Sequence, residues 1–229
     1  MLKLYYAPDN ASLILRLALE EMQLDYETVL VDRGEQEQHS PAYLAINPMG
    51  QIPALDTSDG ILTETAACLL WLCDAHPTAN IGAPVQSQKR GAFLRWMFFL
   101  SNTLHSDLAR TFYPDRYVPK ATLSAHHQIM TKRLKKHFSI LESALAAHPS
   151  LFHAGSALSL YICPLLRWSA LYPTDQEPWF ALTQYPNLAR LAQQMEQRDS
   201  VHAAVKAEGL GVNPFTRPRL PIPPEGSAI

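Results

Sequence analysis

The chain has 229 residues, 47% of them hydrophobic and 17% charged, with a formal net charge of -2. Such a length suits one large domain or two small ones, and the composition excludes a disordered or collagen-like chain. The near-neutral charge argues against a nucleic-acid partner, and the longest apolar stretches, broken by Arg16 and Arg95, fall short of the about 20 residues that a membrane span needs.

Residues 2–6 are apolar and aromatic and end at Ala7-Pro8-Asp9-Asn10, which reads as a strand and a turn. Leu13, Leu17, Met22 and Leu24 recur near helical spacing after Ser12, a candidate cap. Residues 27–31 alternate as a second strand, and Ser40-Pro41 opens a short helix through Ile46. Residues 53–55 and 61–62 are short strands joined by a hairpin at Ser58-Asp59-Gly60. A third helix runs from Thr63-Glu64 to about Ala75, where His76-Pro77 stops it. The order β-α-β-α-β-β-α is an α/β unit with a mixed sheet.

Beyond residue 86 the strand signal vanishes, and residues 88–112, 120–147, 157–171 and 187–197 carry helical periodicity. Pro77, Gly82 and Pro84 mark the change. The expected organisation is an α/β domain at 1–78, a linker at 79–87 and an α-helical domain at 88–229. Its last 17 residues hold five prolines and read as an extended tail over the surface. Residues 1–78 carry a net charge of -9 and residues 79–229 one of +7. That split suits one half steering against the other, within a chain or between subunits, or else a solvated basic face around residues 132–136.

Two motifs carry chemistry. In Asn47-Pro48-Met49-Gly50-Gln51-Ile52-Pro53-Ala54-Leu55, a proline opens a strand without a ladder donor. A cis bond there would turn Ile52 so that its N–H and C=O meet an outside peptide. In Asp59-Gly60-Ile61-Leu62-Thr63-Glu64-Thr65, a helix starts at Glu64-Thr65, and its free N–H groups suit a carboxylate while Glu64 suits an ammonium group. The alternative for that dipeptide is a plain helix cap.

Together the motifs, their spacing and the domain order resemble the glutathione S-transferase family over nearly the whole chain, most of all its bacterial beta class. The resemblance implies a thioredoxin-like domain followed by an all-helical one, and a homodimer; three scattered cysteines and a first segment without a signal-peptide core read as cytoplasmic. It implies that Ile52, before a cis Pro53, pairs its backbone with the cysteinyl part of glutathione, that Glu64 and Thr65 hold the γ-glutamyl end, and that Gln51 lies near the glycyl end. Aligned to the beta class without gaps, the catalytic cysteine falls on Ala11. Asn10, Ser12 and the backbone N–H groups of Ala11 and Ser12 remain as thiolate donors. Ser12 is alternatively only the helix cap.

The stretch from Arg95 to His105 resembles the beta-class helix whose histidine points at the active site, so His105 is a third candidate. Thr103, Ser106, Arg110, Phe112 and Tyr113 are expected along the same wall. Gly155-Ser156-Ala157-Leu158-Ser159 keeps the cap serine of a buried helix but has Ser159 where the family usually has Asp. Cys68 and Cys73 make a poor metal pair, Cys163 reads as core, and no metal is expected. The expected function is conjugation of glutathione, as cosubstrate, to a small electrophile. The alternatives are a non-catalytic glutathione-binding or protein-interaction module, and a glutathione-dependent disulfide reductase.

Overall fold

Buried Leu2, Leu4 and Tyr6 alternate with half-buried Lys3 and Tyr5, and this pleat makes β1 (Leu2–Tyr6) an inner strand of the sheet. The computed structural model, which describes residues 1–228, orders that sheet β2 (Tyr26–Leu30), β1, β3 (Ala54–Thr57), β4 (Gly60–Leu62). β1 and β2 run parallel, with Leu2 opposite Tyr26 and Tyr6 opposite Leu30. β3 runs antiparallel to both β1 and β4, with Tyr5 opposite Ala54. β3 begins one residue later than the sequence suggests, since Pro53 has no N–H to give the ladder.

The parallel pair needs a crossover, supplied by α1 (Ser12–Glu21). Every residue of α1 from Ser12 to Leu19 is buried, because the helix packs on β1 and also on three helices: α3 (Thr65–Ala75), α7 (Ala157–Leu171) and α9 (Asp199–Glu208). A helix apolar on all sides has to be enclosed in this way. Arg16, the one charge in that buried stretch, donates to Glu208 of α9 at 2.7 Å. Nothing in the sequence reading marks α9, whose buried residues are Ser200, Val201, Ala204 and Glu208, too small and polar to print an apolar stripe. A short α2 (Pro41–Leu44) precedes β3 and is capped by Ser40, whose hydroxyl accepts the Tyr43 N–H at 3.1 Å.

The rest is helical. The periodic stretch 88–112 resolves into α4 (Arg90–Phe98), a π-helical segment (Phe99–His105) and α5 (Ser106–Phe112). α6 (Leu123–Ala147) exposes Lys132, Arg133, Lys135 and Lys136, a solvated basic face. α7 is capped by Ser156, which accepts the Ser159 N–H at 3.3 Å and donates to the Ser159 hydroxyl at 2.9 Å, so Ser159 completes the local bonding without a carboxylate. α8 (Pro186–Met195) starts on a proline, as suits a first helical position.

One sequence expectation needs correction, and one alternative is decided. The proline-rich tail is anchored rather than laid on the surface: Pro214, Phe215 and Ala228 are buried, and the Tyr6 hydroxyl donates to Glu225. The charge split is met within the chain, where Asp9 pairs with Arg167, Glu21 with Arg198 and Asp74 with Arg90, each joining the acidic half to the basic one. No helix among the described residues is long and apolar enough to cross a membrane.

Candidate functional site

The turn after β1 is held by distant neighbours as well as by its own hydrogen bonds. Asp9, at φ +48°, is buried, and its carboxylate receives Arg167 Nε at 2.8 Å and Nη2 at 3.0 Å, Trp168 Nε1 at 2.8 Å and the Tyr172 hydroxyl at 3.0 Å. Its backbone N–H goes to Glu208 at 2.8 Å. Arg167 is itself fully buried, and its remaining N–H groups reach the carbonyls of Leu210, Pro214 and Arg219. All five guanidinium donors are therefore used. The sequence reading passed over this pair, although a lone arginine in the otherwise apolar α7 was a signal that a buried carboxylate had to exist somewhere.

Ser12 closes the same turn from the other side. Its hydroxyl donates to the Ala7 carbonyl at 3.0 Å and accepts the Ala7 N–H at 3.3 Å, and the residue is fully buried. Both expectations for Ser12 are corrected: it neither caps α1, whose cap position is Ala11, nor keeps a hydroxyl for a ligand. The Ala11 N–H is also taken, by Asn10 Oδ1 at 2.7 Å. What remains open is the Asn10 side-chain amide, which has no partner among the described residues, in a turn that faces a cavity of about 1230 Å³.

The two motifs meet at that cavity. Gln51, Ile52 and Pro53 line it, and the Ile52–Pro53 bond is cis. The Gln51 carbonyl is fixed by Tyr43 Oη at 2.7 Å and Asn47 Nδ2 at 2.6 Å, while Ile52 stays outside the ladder that begins at Ala54. Glu64 and Thr65 line the same cavity at the start of α3. Glu64 is exposed and sits at φ +66°, ψ 108°, a conformation that L-residues with side chains avoid, and its carboxylate makes no cap bond. Backbone strain of this kind, held by the surrounding fold, is typical of ligand clamps.

The helical half supplies the opposite wall. His105, at the end of the π segment, lines the cavity; its Nδ1 lies 3.0 Å from the Tyr161 hydroxyl and its ring packs 5.5 Å from Trp168. π segments recur at functional sites. Burial pushes the His105 imidazole down to about 4, so it is neutral at physiological pH. Ser106, Phe112 and Tyr113 line the wall as expected, whereas Thr103 and Arg110 do not; Arg110 turns to the Ser106 hydroxyl at 2.7 Å. Arg33, Arg116, Tyr172 and Ala228 line it unforeseen, because they come from separate loops and the tail. Burial raises the thiols of Cys68 and Cys73 to about 12 and that of Cys163 well above its ordinary value, which makes all three poor nucleophiles.

A β-α-β-α-β-β-α sheet unit with a cis proline facing a helical bundle defines a thioredoxin-like domain joined to an all-helical one. Residues 11–75 match the family described as glutathione S-transferase, N-terminal domain. The glutathione S-transferase GstA of Escherichia coli O157:H7 is 29% identical over 91% of this chain and all of its own. The disulfide-bond oxidoreductase YfcG of Escherichia coli K12 is 30% identical over 66% of this chain and 72% of its own. A sphingomonad glutathione S-transferase, solved in complex with glutathione, superposes with a TM-score of 0.75 at 29% identity, covering 91% of this chain and 100% of that one. The chain belongs to the glutathione S-transferase family and resembles its bacterial beta class, a member of which from Sphingomonas chungbukensis superposes with a TM-score of 0.74 at 28% identity, covering 90% of this chain and 98% of that one.

Proposed function

We propose that the protein is a glutathione transferase that binds glutathione between the Ile52 backbone and the Glu64–Thr65 helix start, favours its thiolate, and joins it to a small electrophile held against the helical half. The observation that carries this reading is Glu64, held at φ +66° with its carboxylate open to a cavity that also takes in Ile52, Asn10 and His105. In that arrangement the γ-glutamyl ammonium meets Glu64, and the γ-glutamyl carboxylate meets the first N–H groups of α3 and the Thr65 hydroxyl. Gln51 serves the glycyl end.

The thiolate would take the Asn10 amide and the Ser12 backbone N–H as donors. His105 joins them from the other wall: with Tyr161 donating to Nδ1, the neutral ring carries its proton on Nε2. Hydrogen bonds to the charged form lower a thiol pKa, and the thiolate is the nucleophile. No protein thiol takes part. Glutathione is the only small molecule this reading requires besides the electrophile, and the chain acts as a homodimer in the cytoplasm.

Calorimetric titration of glutathione into the wild type and Glu64→Ala is the direct test. Saturable binding that weakens at least about tenfold in the variant supports the reading, as about 1.4 kcal/mol is a modest value for a charge-assisted contact. Absence of binding to the wild type overturns it. The second reading, a glutathione-dependent disulfide reductase, is favoured by the likeness to the disulfide-bond oxidoreductase YfcG. Turnover of a haloarene supports the transferase, turnover of hydroxyethyl disulfide the reductase.

A further inference from the structure

Arg33 follows β2 and Arg116 follows α5, yet both converge on one ring. The Arg33 guanidinium carbon lies 5.9 Å from the Tyr113 ring centre and that of Arg116 4.3 Å. Arg33 is further aimed by its bonds to the Tyr113 hydroxyl at 2.9 Å and the Ala228 carbonyl at 2.5 Å. All of these residues line the cavity, and Arg116 is exposed at its rim. Among the described residues no carboxylate pairs with either arginine. Of the other acidic residues that line the cavity, Asp175 exerts its field on His127, Glu64 stands at the start of α3, and Asp9 is already spent on Arg167. Two cations that no carboxylate among the described residues pairs with, stacked on one aromatic ring, invite an anion on a flat support.

The space suits that guest. About 1230 Å³ exceeds the about 300–1,000 Å³ of ordinary small-ligand pockets, so a second molecule fits beside a tripeptide. Phe112 and Tyr172, whose rings lie 6.0 Å apart, continue the aromatic wall from Tyr113 inwards towards Asp9.

We propose that Arg33 and Arg116, converging on the Tyr113 ring, bind the acidic substituent of an aromatic electrophile, so that the second substrate is an anionic arene. This rests on the glutathione reading above. In the step the sulfur of the thiolate attacks the ring carbon that bears a halide, the C–S bond forms, the C–halogen bond breaks, and halide leaves while the thiol proton goes to solvent.

The test uses two preformed conjugates that differ only at the ring acid: S-(4-carboxy-2-nitrophenyl)glutathione and its 4-carboxamide. Calorimetry on the wild type should show the acid binding about tenfold tighter than the amide, with the ratio shrinking as salt is added because the site lies at the rim. In Arg116→Gln, which removes the charge and none of the Arg33 contacts, the ratio should fall to about one to two. Equal binding of acid and amide by the wild type overturns the inference, and so does glutathione binding without either conjugate. A loss of affinity for plain glutathione in Arg116→Gln also overturns it, by assigning the arginine to the glycyl carboxylate. Failure of glutathione and both conjugates alike overturns instead the reading on which it rests.

Discussion

Two arginine–aspartate forks join the sheet half to the helical half, alike in chemistry and different in depth. Asp74 of α3 and Arg90 of α4 meet through two contacts of 2.7 Å, with the aspartate side chain about a third exposed. Asp9 and Arg167 meet through contacts of 2.8 and 3.0 Å, with neither side chain exposed at all. At the first seam water substitutes for either partner. At the second nothing does, and every polar atom has been given a protein partner. The deep fork is also the one that touches the turn carrying Asn10 and Ala11, so the joint between the halves and the shape of the candidate active site are one structure.

Deleting one partner at each depth sharpens this contrast. Arg167→Ala leaves the Asp9 carboxylate buried and three tail carbonyls without their donor, and should cost about 3–5 kcal/mol in a urea titration. A loss below about 1 kcal/mol would mean that the seam relaxes and the contrast of depth is void. On the cavity side of the same seam, His105 packs against Trp168, which donates to Asp9. The His105 imidazole titrates near 4 in the folded chain and near its ordinary value of about 6.5 in the unfolded one. Between those values the unfolded state binds the extra proton, so stability should fall as the pH drops from about 6.5 to about 4. In His105→Gln the slope over that window should be shallower by up to one proton; an unchanged slope would place the imidazole in water. At the shallow seam, Asp74→Asn should cost only about 0–1 kcal/mol in the same titration, and less in high salt.

Much of this was legible in the residues because periodicity reports burial. The alternation in β1 and the apolar α7 are features that a strand or an enclosed helix imposes on any sequence. Glu64 and Ile52 were legible as a spaced pair of motifs, each tied to a particular turn. Ser12 was not, since the partner that occupies its hydroxyl, Ala7, sits five residues back and is met only once the turn closes. The Asp9–Arg167 fork spans 158 residues, so the lone arginine of α7 signals a buried carboxylate without saying which, and α9 carries no apolar stripe at all. The arginines over Tyr113 escaped for the same reason: they are neighbours only through the fold.

The turn is clamped on both flanks, by Asp9 on one side and by the Ser12 hydroxyl on the other, while the half-buried Ala11 methyl group between them contributes no hydrogen bond to its shape. Position 11 is therefore an interchangeable socket: the scaffold keeps its form whichever small side chain is plugged in, and a change of chemistry there need not be a change of architecture. Ala11→Cys should unfold within about 0.5 kcal/mol of the wild type. Its new thiol, beside the Asn10 amide and facing the cavity, should form a mixed disulfide with oxidised glutathione that mass spectrometry reads directly.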